Sequence, residues 1–358
     1  MAVRTLGVEE EFLLVDPDSG EPRAVGATVL RRAGEGELTG ELQAQQVETA
    51  TDPCRDLGDL LGEIRTRRAE AARAARAADV EAVPLGTPPV PADPHVSADA
   101  RYRAMVERFG RTGREQLTCA CHVHVAVGSD DEAVGALDRI RPWLAVLLAV
   151  SVNSPFWAGT DTGYAGFRTQ VWGRWPSAGP TGPYGSAAAY RELTETLLGT
   201  DTLLDEGMLY FDARVSHHQS TLEVRVADVC REPADAVLVA ALTRALVETA
   251  AREWAEDVPA DPVRTEVLRL AAWRASRSGL DTDLLHPHTW HPAPAADVVR
   301  ALIEHVGPAL RDAGELDTVG ELWQGLNARR PGAVHQRRAL ERGGDLRAVV
   351  LDALAARE

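Results

Sequence analysis

The stretch GVEEEFLLVD (residues 7–16) constrains the fold more than any other part of the chain. It has the apolar character of a β-strand, yet it carries three consecutive carboxylates, Glu9, Glu10 and Glu11. Strands disfavour Glu, and neighbouring like charges repel. Side chains alternate across a strand, so Glu9 and Glu11 share one face, and Val8, Phe12 and Leu14 share the other with Glu10. Two carboxylates on one face make a seat for a divalent cation, because an unpaired pair of buried anions would be costly. Glu10, on the apolar side, calls for an arginine partner or a local bulge.

Two further segments divide in the same way. In LTCACHVHVAVGS (117–129), Cys119 and Cys121 align with Val123, Val125 and Val127, whereas His122 and His124 point the opposite way. The spelling C-x-C-H-x-H is therefore not read as a zinc site, since four such side chains cannot converge from a regular strand; the cysteines read as core. In STLEVRVADVC (220–230), Glu223 and Arg225 share one face, opposite Leu222, Val224 and Val226. Taken alone, that pair is equally well a cross-strand ion pair. Three strands built this way predict a sheet packed on helices on one side and lined with metal and phosphate ligands on the other. In ELQAQQVETATDPC (41–54), parity alone assigns Glu48 to that lined face; Glu41 differs in parity and joins it only across a turn or bulge.

Strand-like segments cover 4–16, 43–51, 81–86, 116–127, 208–215 and 220–229. Helical patterns cover 56–79, 99–111, 130–152, 186–198, 234–256, 262–277 and the tail from 294. A strict βαβα alternation is missing, and the last two strands form a hairpin around SHHQS. The fold class is α+β: a largely antiparallel sheet with helices packed on one side. With neither linker nor repeat, a single domain over 1–358 is expected. Residues 153–185 hold seven of the eighteen aromatic residues and seven of the thirty glycines, a composition that marks a binding loop or lid.

The formal net charge of −16 argues against nucleic-acid and anionic-membrane partners. Arg65, Arg67, Arg68, Arg73 and Arg76 read as the solvated face of a helix. The chain has no lysine, which excludes a P-loop lysine, a pyridoxal Schiff base and a carbamylated-lysine metal bridge. The N-terminus lacks a secretory apolar region, the run WLAVLLAVSV (143–152) is too short to span a bilayer, and four cysteines show no disulfide spacing. A cytoplasmic, reduced protein is expected, and a homodimer through a sheet edge or helix face is compatible with it. His217, His218 and the histidines of HPHTWH (286–291) have no assigned role, and NARRPGAVHQRR (327–338) reads as a cap on the fold.

Carboxylates outnumber histidines on the lined face, and hard oxygen ligands favour Mg²⁺ or Mn²⁺ over zinc. Cations on acids, with arginine nearby and no lysine, suit ATP phosphates and phosphoryl transfer.

In order and spacing, GVEEEFLLVD, ELQAQQVETAT, CACHVHVAVGS, NSPFWAGTDTGYAGFRTQVWGRWPSAGP and TLEVRVADVC resemble the carboxylate–amine ligase family, also called glutamate–cysteine ligase type 2. The resemblance covers roughly residues 5 to 345. It implies the catalytic fold shared with glutamine synthetase, a curved sheet whose concave face holds ATP and Mg²⁺. The family's G-I-E-x-E strand falls on Glu9 and Glu11, its next two acids on Glu41 and Glu48, its metal-site histidine on His122, and I-E-V-R on Glu223 and Arg225. A loop arginine before Pro-x-x-G falls on Arg168, for the phosphate or acyl phosphate, with Arg225 and His124 on the nucleotide. The implied reaction phosphorylates a carboxylate, L-glutamate in the family, and an amine such as L-cysteine then displaces phosphate. Two other readings compete with it. One is a degenerate homologue that binds nucleotide without turnover. The other is a zinc amidohydrolase using H-x-H, opposed by the missing lysine, the internal position of HVH and the lack of βα repetition.

Overall fold

A computed structural model describes residues 3–216 and 219–355. The parity pattern folds into strands β1 (Leu6–Val15), β2 (Thr39–Gly40), β3 (Gln46–Ala50), β4 (Glu81–Val83) and β5 (Ala120–Ala126). A small ribbon of β6 (Phe156–Trp157) and β7 (Thr160–Asp161) follows, then β8 (Ala213–Val215), β9 (Thr221–Asp228), and a second ribbon of β10 (Asp283–Leu285) and β11 (Pro292–Pro294). Seven strands form one sheet in the order β2-β3-β1-β5-β9-β8, with β4 also pairing β1 over Leu13–Val15. Every pairing in it is antiparallel. The fold is thus the α+β class expected, and β8 and β9 form the predicted hairpin; His217 and His218 lie outside the described residues.

One face of the sheet is dry. Leu6, Val8, Cys121, Val123, Val125, Leu222 and Val224 pack in one core with Leu60 and Ile64 of the helix Leu57–Arg76 and with Leu242 and Leu246 of the helix Pro233–Ala255. Each large side chain so buried contributes on the order of 2 kcal/mol. The cysteines are core, as expected: all four are free and buried. The helix Leu57–Arg76 starts where Asp56 accepts hydrogen bonds from the Gly58 and Asp59 amides. Its Arg65, Arg73 and Arg76 are exposed, but Arg68 corrects the reading of a wholly solvated arginine face. Arg68 is 6 % exposed, and its Nε and a terminal nitrogen donate to the two oxygens of Glu10 at 2.8 and 2.6 Å. It also donates to the carbonyls of Cys230 and Arg231, so the partner that Glu10 demanded ties β1 to the end of β9.

The pattern 130–152 is three elements: a helix Asp130–Ile140, a 3-10 turn Arg141–Trp143 and a helix Leu144–Ser151. Pro142 has no N–H to continue the first helix. Trp143 is buried there between His305 and His288, at ring distances of 4.9 and 5.3 Å, so part of the HPHTWH segment packs on the fold. Gln336, in the helix Gly332–Gly343, donates to the Asn153 carbonyl at 2.7 Å. Among the described residues no helix is long and apolar enough to cross a membrane.

Candidate active site

The other face of the sheet floors a cleft of about 290 Å³. Strand register decides what meets there. Glu9 on β1 pairs with His122 on β5, Glu11 with Glu48 on β3, and Glu223 on β9 with both His124 on β5 and Arg214 on β8. The one-face alternation of each strand thus becomes a row of chemistry across five strands. Glu41 enters from the turn between β2 and β3, the change of direction its parity required.

Glu9, Glu11, Glu41, Glu48, His122, His124, Glu223 and Arg225 all line this cleft. Nδ1 of His122 and Nε2 of His124 each lie 3.4 Å from a Glu9 oxygen, and 3.9 and 4.0 Å from Glu223. The other ring nitrogen of His124 is 3.0 Å from the Thr221 hydroxyl, which fixes the ring's orientation. Glu223 is held between Arg225 and the Arg214 Nε, the latter at 2.7 Å. Glu11 accepts from the Ala120 amide at 2.8 Å and Glu48 from the Thr39 hydroxyl at 3.0 Å.

Charge is unevenly distributed along the floor. Burial acts to raise the Glu9 and Glu223 carboxyls, yet both are held well below the usual range, Glu9 by its two histidines and Glu223 by Arg225, Arg214 and the same histidines. Burial and then the Arg225 charge push His122 down. Glu41 behaves oppositely: burial, then the charge of Glu11, pushes it up to about 8. Glu48 is likewise pushed well up by burial and by Glu41, Glu9 and Glu11. That end of the cleft has an excess of negative charge that a divalent cation would relieve.

The donors fit such an ion. Three sets, Glu9–Glu48–His122, Glu9–His124–Glu223 and Glu11–Glu41–Glu48, each bring ligand atoms within 4.8 Å of one another. Nε2 of both His122 and His124 is buried without a hydrogen-bond partner. Oxygen-rich sets with an imidazole suit Mg²⁺ or Mn²⁺.

A pH prediction follows from Glu41. Its pKa in the folded chain, about 8, lies above the ordinary 4.5. The stability it contributes is therefore complete below that ordinary value and lost as pH rises through the folded one. Mg²⁺ or Mn²⁺ should raise Tm more at pH 8 than at pH 6, and binding at pH 7 should release protons. Thermal scans at both pH values and titration calorimetry in two buffers check this; equal Tm gains without proton release would contradict it.

Arg168 is placed differently from the cleft residues. It opens the short helix Arg168–Trp172, is 2 % exposed and does not line the cleft. Its guanidinium lies 5.6 Å from the Trp172 ring, and that of Arg225 lies 5.7 Å from the same ring. The glycine- and aromatic-rich segment does reach the cleft, through Trp172 and Trp175. Residues 327–338 stay outside its lining. Sequence reasoning missed Arg214, Arg101, Tyr102 and Tyr210, which also line it. Of these, Arg214 had a signal: between Ala213 and Val215 it alternates as Glu223 does.

Known proteins resemble this chain in sequence and in fold. The family model for glutamate–cysteine ligase family 2 matches residues 5–352. "Putative glutamate–cysteine ligase 2-1" of Streptomyces avermitilis is 50 % identical over 355 residues, covering 98 % of each chain. The corresponding ligase 2 protein of Streptomyces coelicolor is 49 % identical over 97 % of each. Among solved structures, a glutamate–cysteine ligase from Francisella tularensis in complex with AMP superposes with a TM-score of 0.74 at 13 % identity, over 100 % of this chain and 89 % of that one. A bifunctional glutathione synthetase from Pasteurella multocida gives 0.73 at 15 % identity, over 99 % of this chain and 52 % of that one, so this chain spans about half its length. At such identities these two show the shared fold alone. On the sequence match along nearly its whole length, the chain belongs to glutamate–cysteine ligase family 2.

Proposed function

We propose that the protein is a single-domain ATP-dependent carboxylate–amine ligase that joins L-glutamate to an amine, with L-cysteine the first amine to test. The observation that carries this is the convergence of five carboxylates and two imidazoles on one cleft over the sheet, with Arg225 among them. It is supported by the family match and by the solved relative that holds AMP.

Glu9, Glu11, Glu41, Glu48, His122 and Glu223, with His124 completing the set of Glu9 and Glu223, would hold Mg²⁺, or Mn²⁺, in the three ligand sets. The ions supply charge neutralisation at the phosphate oxygens of ATP. The chain's own part is positioning. Glu9 belongs to two ligand sets and is kept ionised by His122 and His124, so it is ready to bind without first losing a proton. Arg225, buried on one side and open to the cleft on the other, offers a fixed fork of donors to the transferring phosphoryl group. His124, oriented by Thr221, would be shared between the set it forms with Glu9 and Glu223 and the nucleotide. A sheet floor holds these groups more rigidly than loops would, as an in-line displacement requires. Attack of the acid's carboxylate on the γ-phosphorus of ATP would break its bond to the β-phosphate oxygen, giving an acyl phosphate and ADP, and attack by the amine nitrogen, with loss of a proton, would form the amide and release phosphate.

Phosphate release from Mg·ATP, with L-glutamate and a panel of amines including L-cysteine and with mass detection of products, tests the proposal. Release that needs both partners and yields the matching amide mass is expected. Hydrolysis indifferent to acid and amine would overturn it.

A further inference from the structure

Strand β9 departs from regular pairing at one place. Cys121 pairs with Ala227 but Val123 pairs with Val224, so β9 advances three residues against two of β5, and the extra residue falls at Arg225–Val226. The bulge reverses the alternation beyond it. Ala227 turns to the helix-covered core with Cys121, and Asp228, opposite Ala120, joins the face of His122 and His124.

A closed loop of bonds holds this irregular turn of chain. The Arg225 amide donates to the Asp212 carbonyl at 2.9 Å, and the Arg225 carbonyl accepts from the Arg168 guanidinium at 3.3 Å. The Arg168 amide donates to the Ser154 hydroxyl at 2.9 Å, which donates in turn to Asp228 at 2.6 Å. The same Asp228 oxygen accepts from the Asn153 amide at 2.8 Å. Asp228 returns the loop to β9 three residues past Arg225. Trp172 completes the arrangement, its ring within 6 Å of both guanidinium groups. Arg168 also shares a cavity of about 20 Å³ with Asp212 and Arg225, separate from the cleft.

We propose that Arg168 is a positioning residue: from behind the cleft floor it fixes the β9 bulge and, through it, the direction in which Arg225 enters the cleft. It does not touch the substrate. An unbonded bulge would let the Arg225 backbone move between pairings, and a guanidinium fork loses its selectivity for phosphate when its origin shifts. The proposal rests on the reading of Arg225 as the phosphate-facing arginine.

A double-mutant cycle on the affinity for Mg²⁺ with a non-hydrolysable ATP analogue separates the alternatives. Arg168→Gln should weaken binding about tenfold in the wild-type background and less than about twofold in an Arg225→Lys background, because its effect passes through Arg225. Arg168→Lys, which keeps a donor and a charge, should bind within about threefold of wild type. If Arg168→Gln fails to fold, Ser154→Ala takes its place in the same cycle with the same expected pattern. Equal losses in both backgrounds would show an independent contact and overturn the proposal. Wild-type protein that binds no nucleotide analogue would overturn the underlying reading instead.

Discussion

Glu9→Gln is expected to lower turnover of Mg·ATP by on the order of a thousandfold or more while the fold survives. Glu9 is a member of two of the three ligand sets, so one substitution strips a charged oxygen from two ion positions. Gln keeps the shape and can still meet His122 and His124, so packing has little reason to change. The side chain is 27 % exposed, which limits any desolvation cost. Phosphate release, circular dichroism and Mn²⁺ binding by electron paramagnetic resonance check the three parts separately. Glu223→Gln should lose turnover comparably, with some stability lost as well, because Arg214 and Arg225 both lean on that carboxylate. A Glu9→Gln protein that keeps a tenth of wild-type turnover would remove the ion seat from the mechanism.

The neighbouring carboxylate should behave in the opposite way. Glu10→Gln leaves the buried Arg68 without a counter-charge, and removing one member of a buried pair costs about 3 kcal/mol. Turnover per folded molecule should stay close to wild type, since Glu10 faces away from the cleft. Urea unfolding reads the loss, and the double replacement Glu10→Leu with Arg68→Met should recover most of it, as apolar pairs of similar volume often do. If Glu9→Gln, Glu10→Gln and Glu223→Gln instead lost turnover equally with folding intact, the assignment of faces along β1 would be wrong.

Much of the site was legible because a strand writes its two faces into alternate positions. Glu9, Glu11, His122, His124 and Glu223 could be placed on one surface from parity alone, and Glu10 announced that it needed a cation. The identity of that cation was hidden. Arg68 sits among helical arginines that look equivalent, and only the approach of the helix to β1 selects it for burial. The bulge in β9 was hidden for a different reason. Leu222 to Val226 alternate regularly in sequence, and an extra residue reveals itself only against the partner strand. Glu41 needed the family resemblance, since its position depends on a turn that parity cannot describe. Arg168 shows the limit of carrying a motif over: the residue was found, but its depth behind Trp172 comes from packing.

Strand β1 lies between β3 and β5, and β5 in turn pairs with β9, so the central strand is made long before residues 120–126 and 221–228 can cover it. Until then LGVEEEFLLV, paired only by β3 and β4, leaves its β5-facing edge open, the kind of edge that recruits other chains. Three adjacent negative charges on such a strand repel a second copy of it. Glu9, Glu10 and Glu11 are therefore expected also to guard the nascent chain, and neutralising them together is expected to lower the yield of folded protein during synthesis.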